Sequence, residues 1–277
     1  MTATVSLVQS VVLGVVEGLT EFLPVSSTGH LTIAENLMNI KTDAKAVTGF
    51  TAVIQVGAIF AAIAFFRQDI ARIVSGWVRG LRGGDARRTE ESRLGWYIIG
   101  ATIPIGIVGL AGKNIIKHDL RYLWVVAVGL IAWSAVMIYA ERTARQDRGE
   151  AEATFKDVLT MGLFQCVALV PGVSRSGATI SAGLFRGLDR VAATRLSFFL
   201  GIPALLAAGA FELKDALKAP AGPVVVGTVV SFIVAYVAIA WLLKFVAHHS
   251  IGKFVPYRLL VGGLILVGLA TNVLSNT

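Results

Sequence analysis

Long apolar runs separated by short polar connections fill this chain. A helix that crosses a bilayer needs about 20 predominantly apolar residues, and runs of that length occur at 47–66, 94–112, 120–140, 192–211, 224–243 and 254–273. They predict six transmembrane helices. Two further apolar runs, 5–23 and 155–170, behave differently, because each enters a Pro/Ser/Gly turn and continues as a second short apolar segment. That pattern predicts two re-entrant helical hairpins. Backbone that turns at membrane depth is tolerated only where protein or a watery cavity covers it, since lipid cannot satisfy its N–H and C=O groups. The two turns therefore mark cavities.

The order hairpin plus three spans occurs twice. An offset of 148 places Gly14 on Gly162, Glu17 on Gln165, Val25 on Val173, Ser26 on Ser174 and Gly29 on Gly177. The chain thus reads as one integral membrane domain, 1–277, built from internal repeats at about 1–141 and 152–277. An odd number of crossings per repeat inverts the second copy, an arrangement common among transporters.

Composition fits the pattern, with 55% hydrophobic residues, 15% charged residues and a mean hydropathy of +0.73. The fold class is an all-α polytopic membrane protein. A net charge of +8 would suit nucleic acid in a soluble chain, but here the basic residues fall in short loops, where the positive-inside rule puts them. No nucleic-acid partner is expected. Arg67, Arg72, Arg79, Arg82, Arg87, Arg88 and Arg93 make the connection after the first span cytoplasmic. Alternation then places Lys113, Lys117 and the loop Glu212-Leu213-Lys214-Asp215 outside, with the mouth of the first hairpin on the outer face. The single cysteine, Cys166, excludes a disulfide framework.

Chemistry concentrates at the two turns. The first carries Glu17-Gly18-Leu19-Thr20-Glu21-Phe22-Leu23-Pro24-Val25-Ser26-Ser27-Thr28-Gly29-His30, and the second Pro171-Gly172-Val173-Ser174-Arg175-Ser176-Gly177-Ala178-Thr179. Glu17 and Glu21 are four apart and share a helix face. Two carboxylates in a low-dielectric setting resist joint ionisation unless a cation or a shared proton lies between them, so the pair is a candidate site for Mg²⁺ or Ca²⁺ or for a proton carrier. Arg175 at membrane depth carries a fork that matches phosphate oxygens. Gly172, Ser174, Ser176 and Gly177 around it would supply small residues and free N–H groups at a helix start, where an anion is favoured. Ser26, Ser27 and Thr28 read singly as helix caps. With His30 close by, a hydroxyl could be an activated nucleophile, or the imidazole could deliver a water. Acids and hydroxyls facing an arginine suit phosphoryl transfer, whose main demand is stabilisation of negative charge.

These two motifs resemble those of the undecaprenyl-diphosphate phosphatase family associated with bacitracin resistance, and the similarity covers nearly the whole chain. The resemblance implies hydrolysis of a C55 isoprenyl diphosphate to the monophosphate carrier used in bacterial cell-wall synthesis. It also implies a divalent cation, a homodimer in the inner membrane and a site reached from the outer side. Carried over by position, Glu17 and Glu21 match the family's acidic motif, Ser27 and His30 its catalytic pair, and Ser174, Arg175 and Thr179 its phosphate-binding motif. Ser26, Thr28, Gly172 and Ser176 are expected to bind substrate beside them. The alternative is a proton- or ion-coupled transporter or flippase of an anionic lipid or solute, in which the same residues bind without cleaving.

Overall fold

The computed structural model describes residues 5–40, 45–116, 120, 122–216 and 221–276. Lys117 and the side chains of Glu212, Lys214 and Asp215 lie outside the described residues. Helices α1 (Leu7–Thr20) and α2 (Ser27–Leu37) form the first hairpin, and α7 (Phe155–Val167) and α8 (Arg175–Phe185) the second. After the first hairpin come α3 (Lys45–Phe65), α4 (Arg67–Leu81), α5 (Glu90–Ala111) and α6 (Leu123–Thr143); after the second come α9 (Arg190–Ala216), α10 (Ala221–His248) and α11 (Val255–Ala270). No strand occurs among the described residues, and the apolar runs of the sequence are helical.

Among the described residues, five helices are long and apolar enough to cross a membrane, and a sixth candidate span is the pair α3–α4, whose two helices are bent from one another by 76°. The basic connection after the first span therefore contains a helix that hydropathy did not announce. Helix α4 is strongly amphipathic: Ile73, Gly76 and Gly80 face inward, whereas Arg67, Arg72 and Arg79 lie on the outward side. A stripe of that kind folds because one face is covered, although the mean hydropathy of the segment is low.

Local signals set the hairpins. Ser6 and Gln9 form a capping box at the start of α1, and Thr154 and Asp157 form one at the start of α7, each satisfying N–H groups that the first turn leaves free. Each hairpin then leans on the other half of the chain, α1 against α10 and α7 against α5. Small residues permit the close approach: a Cβ on Gly14 would strike the Gly227 carbonyl, and one on Gly162 the Ala101 carbonyl. Side chains buried between α3, α8, α9 and α10, among them Phe66, Phe198, Leu200 and Ile239, build the main core.

At one end of the molecule the α6–α7 connection is tied down by charge. Asp157 is fully buried and accepts from Arg148 at 2.9 Å and Arg186 at 2.7 Å, and Arg190 grips Glu141 bidentately at 2.9–3.1 Å. Arg195 reaches both Asp69 and Glu150. These ion pairs join α4, α6, α7 and α9 around segments rich in arginine.

Candidate active site

The turns of the two hairpins meet. The Gly172 N–H donates to Ser26 Oγ at 3.1 Å, and Ser176 Oγ donates to the Leu23 carbonyl at 3.0 Å. Ser26 and Ser174 hold φ of 75° and 76°, a region costly for a residue with a Cβ and kept where surroundings enforce it. In each hairpin the strained serine immediately precedes the second helix, so that Ser27 opens α2 and Arg175 opens α8. The serines are used differently. Ser174 caps its own helix by accepting from the Gly177 N–H at 3.2 Å, whereas Ser26 Oγ gives up that role to bind the other turn.

Glu21 is the hub. Its Oε2 accepts from Ser27 Oγ at 2.7 Å and from Gln55 at 3.4 Å, and its Oε1 faces Arg175 Nη2 at 3.5 Å. Arg175 is fixed from behind by the Ser197 carbonyl at 3.1 Å and lies 5.9 Å from the centre of the Phe22 ring. Room for its guanidinium exists only because residue 201 is glycine, since a Cβ there would collide with it. Glu17, one turn before Glu21, is buried, and its Oε1 has no hydrogen-bond partner.

Glu21, Ser27, Gln55 and Arg175 put polar groups on the wall of a cavity of about 460 Å³. Glu21, Ser26, Ser27, Thr28, Ser174 and Arg175 line it as the sequence predicts, together with Gln55, Thr102, Lys113 and Gln165, which sequence reasoning passed over. The rest of its lining is largely apolar and includes Ile105 and Leu110 of α5 and Leu205 and Phe211 of α9. Glu17, His30, Gly172, Ser176 and Thr179 are not on the wall. Thr179 Oγ1 meets Ser197 Oγ at 2.6 Å, so it braces the residue whose carbonyl holds Arg175. Ser176 is fully buried between the turns.

His30 does not meet Ser27 in this structure. Its Nδ1 lies 2.8 Å from the Ser26 carbonyl, which can only accept, so that nitrogen carries the proton. Its Nε2 lies 2.6 Å from the Tyr257 hydroxyl, and the two rings stack with centroids 5.5 Å apart. The nearest acceptor for the Ser27 proton is Glu21. The imidazole instead holds the backbone of the strained Ser26.

Two oxygen-bearing acids and a hydroxyl suit a hard divalent cation. No group of three or more His, Cys, Asp or Glu that could hold a metal ion occurs among the described residues. A cation here would rest on Glu17 and Glu21, with the free Glu17 Oε1 available to it, and would need further oxygen ligands from a phosphate or from water.

The largest omission of the sequence reading is Arg258. It lies three residues into α11 and is fully buried, yet hydropathy ranks a basic residue near the end of an apolar run as interfacial. Its guanidinium bonds Ser134 Oγ and backbone carbonyls of both turns. No local signal distinguishes it from a snorkelling arginine.

The family model described as Bacitracin resistance protein BacA matches residues 10–264. A protein of Acidothermus cellulolyticus named undecaprenyl-diphosphatase is 60% identical over 267 residues, covering 95% of this chain and 97% of its own. Undecaprenyl-diphosphatase 1 of Streptomyces coelicolor is 59% identical over 99% of this chain and 100% of its own, and the undecaprenyl-diphosphatase of Cutibacterium acnes is 51% identical over 96% of this chain.

Proposed function

Because the chain belongs to the BacA bacitracin resistance family, we propose that it hydrolyses undecaprenyl diphosphate to undecaprenyl phosphate and inorganic phosphate, returning the lipid carrier to cell-wall synthesis. It is a multi-pass membrane enzyme, an acid-anhydride hydrolase. The observation that carries this reading is a cavity lined by a hydroxyl, a carboxylate and a guanidinium in mutual contact and by apolar residues of α5 and α9. A diphosphate would sit at the polar groups, and the isoprenyl chain would leave between the two helices toward lipid.

The mechanism starts from the Ser27–Glu21 contact. Arg175 and the N–H groups opening α8 hold the diphosphate, as a helix start and a guanidinium favour an anion. Ser27 Oγ attacks the terminal phosphorus while Glu21 takes its proton. The bond from that phosphorus to the bridging oxygen breaks, and undecaprenyl phosphate departs. Water then cleaves the phosphoserine, which releases inorganic phosphate and restores Ser27. His30 serves by fixing the Ser26 backbone next to the nucleophile. A divalent cation held at Glu17 and Glu21 and by phosphate oxygens would neutralise charge on the diphosphate.

The two halves, about 1–141 and 152–277, are read as inverted repeats; the matched φ of Ser26 and Ser174 and the crosswise packing of α1 and α7 support this. The arginine-rich connections support a cytoplasmic side at that end and an opening of the site toward the outer face of the bacterial inner membrane. A homodimer belongs to the same reading.

Purified protein in detergent should release phosphate from C55 diphosphate, and chelator should suppress it. A transporter or flippase would release none. Activity that persists in Arg175→Ala would remove the guanidinium from the phosphate, and full activity in chelator would remove the cation.

A further inference from the structure

Arg258 is the one arginine among the largest fully buried side chains, and among the described residues its guanidinium bonds a hydroxyl and backbone carbonyls and no carboxylate. Burying an uncompensated cation is expensive, and an apolar side chain of similar size is often no less stable in such a place. Its neighbours say what it does. Nε donates to Ser134 Oγ at 3.1 Å, and Nη1 to the Pro24 carbonyl at 2.9 Å. Nη2 is shared among the carbonyls of Gly172 at 3.0 Å, Val173 at 3.2 Å, Leu130 at 3.2 Å and Gly129 at 3.4 Å. Pro24 belongs to the first turn and Gly172 to the second, at the same offset of 148 that relates Ser26 to Ser174. A single guanidinium thus spans corresponding carbonyls of the two turns and fixes both to α6.

The peptide between Val173 and Ser174 carries the consequence. A trans peptide is planar, with its N–H directed opposite its C=O. Holding the Val173 carbonyl therefore turns the Ser174 N–H away from Arg258. That N–H has no backbone acceptor among the described residues, and Ser174 lines the cavity beside Arg175. We infer that Arg258 is a positioning residue of the diphosphate site: it clamps the two turns through their carbonyls and so aims the Ser174 N–H at the phosphate group that Arg175 holds. This rests on the diphosphatase reading. The planar fork of arginine can span carbonyls of both turns and the Ser134 hydroxyl together, which the compact ammonium of lysine cannot.

The test is Arg258→Lys, which keeps the charge and removes the fork. The protein is purified in detergent and followed by size exclusion, thermal melting, steady-state phosphate release from C55 diphosphate and inhibition by inorganic pyrophosphate. Loss of one well-aimed N–H donor lowers turnover by about 10²-fold, so kcat/KM should fall by that order while elution is unchanged, and inhibition by pyrophosphate should weaken in parallel. A lowered melting temperature with wild-type kcat/KM and wild-type pyrophosphate inhibition in the folded fraction would make Arg258 a structural tie only and overturn the inference. Should Arg258→Lys fail to fold, Ser134→Ala removes the Nε acceptor and leaves every carbonyl bond. It should cost about threefold in kcat/KM, as expected for one loosened hydrogen bond, and wild-type kinetics there would refute the positioning role. Absence of phosphate release by the wild-type protein faults the diphosphatase reading instead.

Discussion

Glu21→Gln isolates the step on which the chemistry depends. The substitution keeps the size of the side chain and an oxygen that can still accept from Ser27, 2.7 Å away. It removes the charge that would take the Ser27 proton. Proton transfer by a positioned side chain is worth about 10²–10⁴-fold, which is about 2.7–5.4 kcal/mol of barrier at 1.36 kcal/mol per tenfold. The same change leaves Arg175 without its 3.5 Å carboxylate while its bond to the Ser197 carbonyl remains, so part of the loss will appear as stability. Single-turnover phosphate release in detergent, corrected for folded fraction by size exclusion, separates the two effects. Glu21→Gln should lose at least about 10²-fold, and the double variant with Ser27→Ala should be no worse than the poorer single one, because residues acting as a unit are not additive. Additive losses, or an Glu21→Gln rate within threefold of wild type, would refute Glu21 as the group that activates Ser27.

Further expectations follow from particular contacts. Gly201→Ala places a methyl against the Arg175 guanidinium; activity should fall sharply while overpacking destabilises by about 1–3 kcal/mol, and unchanged phosphate release would mean that Arg175 can move aside at no cost. Gln165 is fully buried with both amide atoms unpartnered, so Gln165→Leu should stabilise by about 1–3 kcal/mol, read as a higher melting temperature in detergent; a lower one would show that the amide is satisfied by water. Burial pushes the Asp157 carboxyl up, but hydrogen bonds from Arg148, Thr154 and Arg186 outweigh it and hold the group well below the usual carboxylate range. The stability it contributes is present above that range and is lost as pH falls through it toward the depressed folded value. Melting temperature should therefore drop on acidification in wild type and change less in Asp157→Asn, and parallel profiles would contradict this.

The two motifs of the candidate active site were legible because they break a local rule. Glu17, Glu21 and Arg175 are ionisable residues inside apolar runs, and such residues are expensive enough in lipid to mark a functional place. Span positions were legible for a similar reason, since bilayer thickness fixes the length of an apolar helix and length can be counted. Helix α4 escaped this count because it covers only one face, so that its alternation of Ile73, Gly76 and Gly80 with arginines lowers the mean hydropathy.

Partnership could not be counted. Nothing in the residues 26–30 states whether Ser27 turns toward His30 or back toward Glu21; the φ of 75° at Ser26 decides that, and it is enforced by the second turn through Gly172 and by His30 on the Ser26 carbonyl. Gln55 of α3, Gln165 of α7 and Lys113 just beyond α5 reach the cavity from three separate parts of the chain, as ordinary polar residues until those parts are packed. Arg258 is the sharpest case, since near a span end it has the sequence character of an interfacial anchor and in the fold it is a fully buried clamp. Hydropathy and the cost of charge in lipid are properties of single segments, and the sequence by itself determined those: the spans, the re-entrant turns and the residues that do not belong in lipid. Hydrogen bonds join segments far apart in the chain, so only the tertiary structure decided which acid meets which hydroxyl and which arginine holds the turns together.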